Sequence, residues 1–492
     1  MGHILAFDAG TTALKGALLE NGCVCVQEHS IPVTTIFNGE HKEQDPNLWY
    51  SGFCEISRRF FDCGVRPDSV EAIVLSGQMQ DVIAVDSALR PVGNAILYSD
   101  GRGDRQAVQI KDIIGADKMM RTTGNFFDGS IPLSKLLWLK QCEPARYSQI
   151  HKVLISSKDY IVARLTGSFI TDVTSASTAG IMDIRAKTWK TAYMEAVGLD
   201  PRLLPDLKYP DDLAGTVTSE ASKESGCRAG TPVFAGVGDA GATTLASGIC
   251  DSGEYNINLG TSGWVATLSD DIPAWGGVFN LAAVQRGLYI NVVPFLNAGN
   301  VHKWISSLLS PEGSIDYGYI DRLLEQSRVG SNGVLFLPYI TGERFPVMDC
   351  AVKGGFYGIT PETGKSDLAR SALEGVAFSI RQGMERIGRP PQKISLIGGG
   401  AKTPVWCQIF ADILGYPVDV YTKSTYLPAM ALASCVLVAQ GKLSGYRQFI
   451  SELKQATGCV RYSPEPSNTA LYNELYHAYR KLYPALKQVS PL

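Results

Sequence analysis

The chain is poor in the features that mark several large function classes. It has only six histidines, all dispersed, and its eleven cysteines include no C-x-x-C pair. That spacing offers neither a zinc set nor a redox pair. An odd number of scattered cysteines reads as reduced, mostly buried thiols of a cytoplasmic protein; Cys23 and Cys25, in an apparent strand, face the same way. No apolar run approaches the ~18 residues of a membrane span, and the first residues lack the basic-then-apolar order of a secretory signal. At a net charge of −3 no basic block stands out, which argues against a nucleic-acid or polyanion partner. Two nucleotide-binding patterns are missing as well. The glycine triplet of "KISLIGGGAKTP" (393–404) does not fit G-x-G-x-x-G, and "GITPETGKSD" (358–367) resembles a Walker A loop with Ile359 where its first glycine belongs. Ser366 reads instead as the cap of a helix whose apolar face is Leu368, Ala372, Val376, Ile380, Met384 and Ile387.

What is present is 492 residues, 45% apolar and 19% charged, enough for large cores. Length alone suggests about three domains, but an internal repeat reduces this to two. "ILAFDAGTTALKGALL" (4–19) and "EYNINLGTSGWVATL" (254–268) each place an apolar strand, a Gly-Thr-hydroxyl turn and a second apolar strand in succession, at an offset of 250. The expected units are 1–244 and 245–492.

A glycine in such a turn lets backbone approach a ligand closely. Successive N–H groups and hydroxyls then donate to phosphate oxygens. Gly10, Thr11 and Thr12 in the first copy, and Gly260, Thr261 and Ser262 in the second, are therefore candidate phosphate contacts, with Lys15 a weaker one. The copies differ at Asp8, which corresponds to Asn258. One carboxylate suffices to hold Mg²⁺, usually through water, so Asp8 is the candidate metal ligand.

This pairing resembles the sugar-kinase, Hsp70 and actin superfamily. More narrowly the chain is similar to FGGY-type carbohydrate kinases, in their xylulose-kinase-like branch, with motifs from residue 4 to about 440. The resemblance implies an α/β fold of two RNase H-like (actin/hexokinase-type) domains around a central cleft. Sugar, metal and catalytic base belong to the first domain and the nucleotide to the second, with ATP and Mg²⁺ as cofactors. In "VFAGVGDAGATTLASGI" (233–249) Asp239 alone could be a helix N-cap or a general base; the family pattern favours the base, in contact with the substrate. By the same resemblance Gly299, Gly399, Gly400 and Ala401 lie against the adenosine of ATP. Gln408 is either a purine or ribose contact or a solvent-facing helix residue.

The first family signature runs through Ser130, Pro132, Lys135, Trp138 and Gln141 and departs at Cys142. Its local reading is a core tryptophan beside a snorkelling lysine. The second runs through Gly354, Phe356, Gly358, Asp367, Ser371 and Glu374 and reads as largely structural. Polar amides at the end of an apolar run suit hydroxyl recognition, so Gln78, Met79 and Gln80 are candidate sugar contacts, although xylulose-kinase-like relatives carry histidine at the position of Gln80. Asp100, with Arg102, is a candidate substrate or loop-ordering residue, and Glu343 with Arg344 a loop-organising pair. Asp45-Pro46 reads as a helix start. A small-residue helix follows the unusual Tyr426, Leu427 and Pro428. The tail over 465–492 reads as one helix packing Leu471, Leu475, Ala478 and Leu482 against the second half.

The implied reaction transfers the γ-phosphoryl group of ATP to a primary hydroxyl of a ketose or polyol, with closure of the two halves. Family habit implies a homodimer. The alternatives are an actin- or Hsp70-like switch ATPase and a silent sugar sensor. Neither explains the segment around Gln78–Gln80 together with both Asp8 and Asp239.

Overall fold

The computed structural model describes residues 2–20, 22, 24–273, 277–349, 351–421 and 427–487; Cys23 and Tyr426, singled out above, lie outside them. Two seven-stranded sheets organise the chain. The first contains β1 (His3–Ala9), β2 (Ala13–Glu20), β3 (Val24–Pro32), β4 (Val70–Gly77), β5 (Leu213–Thr216), β6 (Pro232–Phe234) and β7 (Val237–Gly238). Its order is β5-β6-β4-β1-β2-β3, with β7 also paired to β4. The second contains β8 (Glu254–Leu259), β9 (Gly263–Ser269), β10 (Phe279–Ala282), β11 (Tyr289–Phe295), β12 (Lys393–Ile397), β13 (Val418–Tyr421) and β14 (Cys459–Tyr462), in the order β10-β11-β9-β8-β12-β13-β14.

The sequence repeat is a structural one. β1 pairs antiparallel with β2 and parallel with β4, and β8 pairs antiparallel with β9 and parallel with β12. In β1 the side chains alternate between two apolar layers, since a strand turns successive residues to opposite faces. Leu5, Phe7 and Ala9 pack with α1 (Pro46–Asp62) and α3 (Ser157–Thr166), the helices on either side in sequence of α2 (Pro132–Cys142). Ile4 and Ala6 face the opposite layer. Helix α1 begins as expected, with Asp45 accepting from the Asn47 N–H at 2.9 Å.

That opposite layer comes from both halves. The short α4 (Val173–Ala176) precedes it, and α5 (Asp239–Ala246) packs there with α9 (Leu427–Ala439) from the far end of the chain. Ala431, Ala433 and Cys435 are fully buried in this contact, and their small side chains let the helix approach the first sheet closely. The division expected at 244/245 falls inside α5. In the second half α6 (Gly299–Leu309), α7 (Lys365–Ile387) and α8 (Pro404–Leu414) cover the other sheet.

Two local expectations change. The first turn of α7 is closed by Asp367, whose carboxylate accepts from the Gly364 N–H at 2.9 Å, so Ser366 is not the cap. The tail helix, α10 (Pro466–Leu486), packs Leu475 and Leu482 half-buried against the second half's core as expected, but it buries Tyr472, Tyr476 and Tyr479 more fully and leaves Leu471 and Ala478 exposed. Phe378 of α7 draws these rings inward, with Tyr479 centred 5.1 Å away, and Tyr472 also donates to Glu374. Aromatic area and a buried hydroxyl partner outweigh the leucine stripe. The nine described cysteines are all free thiols.

Because α9 seals the back of the first sheet at van der Waals contact, Ala433→Leu should overpack it. The expected loss is about 1–3 kcal/mol of unfolding free energy in urea denaturation; an unchanged midpoint would show that the contact is loose.

Candidate active site

Strands β1, β4 and β7 run parallel, so their carboxyl ends meet at one edge. Asp8 sits opposite Ser76 on β4, and the Ser76 hydroxyl donates to its Oδ1 at 2.7 Å. Gly238 sits opposite Gly77 on the other side of β4, and Asp239 follows as the first residue of α5. The two carboxylates therefore flank one strand.

Burial raises the Asp8 carboxyl, opposed by the Ser76 bond and the nearby Lys15. Asp239 opens onto the cleft but is ringed by protein elsewhere. That crowding, then repulsion from Asp8 and more weakly from Asp172, pushes it up to about 7, against the Ala240 N–H that it accepts. Water in an open cleft screens part of the burial effect; repulsion from Asp8 acts whether the cleft is open or closed. No cation lies within ion-pair distance of Asp8 among the described residues. Two repelling carboxylates, one with an uncompensated oxygen, are a donor set that suits a hard divalent cation.

The turn after β1 is held from behind. The Thr11 hydroxyl donates to Gln78 at 2.7 Å, Gln44 donates to the Thr11 carbonyl at 2.7 Å, and Gln78 donates to Gln44 at 3.0 Å. Thr12 and Lys15 are exposed on the outer side. A side chain at Gly10 would meet only open space and ordinary contacts, which leaves room for a ligand rather than protein there.

The equivalent turn after β8 is held differently. Its Gly260 and Thr261 carbonyls accept from the Gly299 and Asn300 N–H groups of α6, at 2.8 and 2.9 Å. A Cβ on Gly299 would lie 2.4 Å from the Gly260 oxygen, so only glycine permits this approach. Gly398 takes φ +95° against the Leu259 carbonyl, whereas Gly399 has open space. These segments wall a cavity of about 520 Å³ that includes Thr261, Gly299, Gly399, Gly400, Tyr317 and Trp406. Ser262 is exposed on the same turn. Ala401 lies outside that wall, and Gln408 is held by Asp412 and the Ser463 carbonyl, both at 2.8 Å.

A second cavity, about 400 Å³, lies between the halves. Gln80, Asp104, Asp128 and Ser130 contribute from the first half, and Phe279 and Arg344 from the second. Two of the candidate sugar contacts, Gln78 and Asp100, are not among the residues that line it. Gln78 is 1% exposed with both amide atoms engaged as above, so it orders the turn after β1. Asp100 is fully buried; it accepts from the Arg102 guanidinium at 2.9 and 2.7 Å and from the Lys42 N–H at 2.6 Å. Arg102 continues to Glu43 at 2.8 Å and lies over Trp138. Asp100 therefore orders its loop. Met79 packs so tightly under Gly238 that a Cβ there would be 2.0 Å from its sulfur. Gln80 does reach the cavity, donating to the Ser130 hydroxyl at 2.8 Å.

Arg344 carries a role that sequence reasoning missed. Glu343 organises its loop by accepting from the Leu296 N–H (2.6 Å), the Asn297 amide (2.9 Å) and the Arg344 backbone N–H (2.9 Å), while the exposed Arg344 side chain lines the cavity. The signal was the Gly-Glu-Arg stretch itself, read as an internal pair. Asp104 and Asp128 gave no local sign of their place.

Residues 3–246 match the N-terminal domain of the FGGY family of carbohydrate kinases, and residues 255–435 match its C-terminal domain. The chain belongs to the FGGY family of carbohydrate kinases. A xylulose kinase of Escherichia coli (strain K12) is 30% identical over 99% of both chains, and one of Staphylococcus xylosus is 28% identical over 98% of this chain and 100% of its own. A ligand-bound xylulose kinase of Lactobacillus acidophilus superposes with a TM-score of 0.90 at 26% identity, covering 100% of this chain and 99% of its own. A gluconate kinase from the same organism gives 0.88 at 27% identity, covering 99% and 98%. The fold is the two-domain actin-like one, and the protein is an ATP-dependent sugar kinase, a phosphotransferase; the switch-ATPase reading is not favoured. No described helix is long and apolar enough to cross a membrane.

A carboxyl raised in the folded kinase binds more protons there than in the unfolded chain. Asp239 therefore lowers stability progressively as pH rises from its ordinary 3.8 to about 7. Asp239→Asn should raise Tm by about a few degrees at pH 8, with the gap closing toward pH 4, in scanning calorimetry. An equal gap at both pH values would refute the raised carboxyl.

Proposed function

We propose that this kinase phosphorylates a primary hydroxyl of a neutral ketose or polyol, with a xylulose-like acceptor favoured, and that Asp239 is its general base. The supporting observation is the accessible Asp239 carboxylate, one residue past β7, across β4 from Asp8. A base poised near the working pH transfers protons most effectively. Asp239 accepts the proton of the acceptor hydroxyl as that oxygen bonds to the γ-phosphorus and the bond to the ADP oxygen breaks. Asp8 would hold Mg²⁺, which supplies charge neutralisation to the phosphates when bound. Gly10, Thr11 and Thr12, with Lys15, face the phosphates from one side, and Gly260, Thr261 and Ser262 from the other. Gly299, Gly399 and Gly400 border the adenosine. Most of the rate then comes from positioning and fixed electrostatics. An ATP-consuming enzyme with free thiols fits the cytoplasm.

Acceptor charge decides between the two kinds of relative. The cavity beside Gln80 presents Asp104 and Asp128 against the single cation Arg344, and Asp8 and Asp239 add negative charge further in. An aldonate would enter against that field, whereas a neutral polyol gains hydroxyl partners from the carboxylates and C–H contact from Phe279.

The test is ADP release with Mg-ATP across pentuloses, hexuloses, polyols and gluconate. A neutral acceptor should exceed gluconate at least ~10-fold in kcat/KM, a difference of one missing charge repulsion; gluconate as the best acceptor would overturn the reading. Asp239→Asn should cost about 10²–10⁴-fold in kcat. The wild-type kcat/KM should fall on the acid side with an inflection at about 7. Turnover indifferent to Asp239→Asn would remove it as the base.

A further inference from the structure

Lys135 stands in the first turn of α2 and is fully buried, contrary to the snorkelling expected of it; its neighbour Trp138 takes the half-buried place over Arg102. Its ammonium reaches no carboxylate within ion-pair distance among the described residues. Instead Nζ donates to two backbone carbonyls, that of Leu97 at 2.7 Å and that of Gln80 at 3.1 Å.

Those carbonyls belong to two segments joined by reciprocal bonds between Val82 and Ile96, at 2.9 and 3.0 Å, and by the Tyr98 N–H donating to Asp81 at 2.9 Å. Lys135 closes this pair at the end where it meets the cavity. Gln80 there adopts φ +66°, a left-handed conformation that is unfavourable for a non-glycine residue and persists only when the surroundings enforce it. The same conformation turns its side chain to Ser130 and the cavity wall. Burying an ammonium is costly, and here the cation serves an otherwise strained peptide.

We propose that Lys135 is a positioning residue of the acceptor site: it fixes the Gln80 peptide in its left-handed conformation and thereby aims the Gln80 amide at the sugar. This rests on the reading that the cavity takes the acceptor. Asp81, Asp100 and Asp128 favour the charged amine, while burial pushes it down to about 8.

The experiment is a double-mutant cycle of Lys135→Met and Gln80→Ala in the full-length kinase, with KM for acceptor and for ATP measured separately. Lys135→Met should raise acceptor KM about tenfold, leave ATP KM unchanged and keep kcat within about twofold. In the Gln80→Ala background the same change should add less than about twofold, because its route of action is gone. Lys135→Gln, which still donates one hydrogen bond, should fall between. Equal rises in both KM values, or an undiminished effect without the Gln80 side chain, would overturn the proposal. Gln80→Ala with an unchanged acceptor KM would instead remove the cavity as the acceptor site. Should Lys135→Met not fold, Lys135→Gln carries the cycle, and failure of both to give a cooperative calorimetric transition makes the lysine purely structural.

Discussion

Parallel pairing of β1 and β7 to the two sides of β4 is the constraint on which the site depends. It brings Asp8 and Asp239, 231 positions apart, to one edge, and it forces the two carboxylates to share the space around a single strand. Burial first, and then their repulsion, raises Asp239 toward neutrality, which suits it to the proposed role of general base. The rest of the first half serves to hold this edge still. α9, arriving from the far end of the chain, seals the back of the same sheet, so the second half helps to support the strands that carry the first half's chemistry.

Duplication produced two similar turns, and tertiary context made them different. The first is tied by side chains, through Gln78 and Gln44 to Thr11, in addition to the Val33 N–H donating to the Thr12 carbonyl, and leaves Gly10 unobstructed. The second is tied by backbone, through Gly299 and Asn300 to the carbonyls of Gly260 and Thr261, at the N-terminus of α6. A side-chain tie can shift with rotamer; a backbone tie moves only with its helix. The turn after β8 is thus fixed by helix packing, whereas the turn after β1 is also held by a network of buried polar groups.

That network explains why fewer motif residues line the cavity between the halves than the sequence suggests. Gln78 and Asp100 spend their hydrogen-bonding capacity inside the protein, and Asp100 anchors Arg102, which reaches Glu43. Buried polar groups left unpaired are costly, so side chains that emerge from apolar runs often satisfy loops first. The polar groups that do line the cavity come from both halves, among them Gln80, Asp104, Asp128 and Ser130 from the first and Arg344 from the second. On the proposed reading, acceptor choice is a property of the assembled pair of halves.

By itself the sequence determined the strand–turn–strand units, their repetition, the special place of Asp239 and the identity of the glycine segments. Alternation of apolar residues and the demands of a glycine turn are local properties, and a repeat compares the chain only with itself. Tertiary structure alone decided how each polar side chain is used. Lys135 reads locally as a snorkelling residue, yet the fold buries it under Gln80; Arg344 reads as the partner of Glu343, yet it faces the other half. Of the tail's apolar stripe only Leu475 and Leu482 reach the core, and Phe378 buries the tyrosines Tyr472, Tyr476 and Tyr479 more deeply than either. In each case the deciding partner is distant in sequence, and the energy of a buried polar group or ring depends on that partner rather than on its neighbours along the chain.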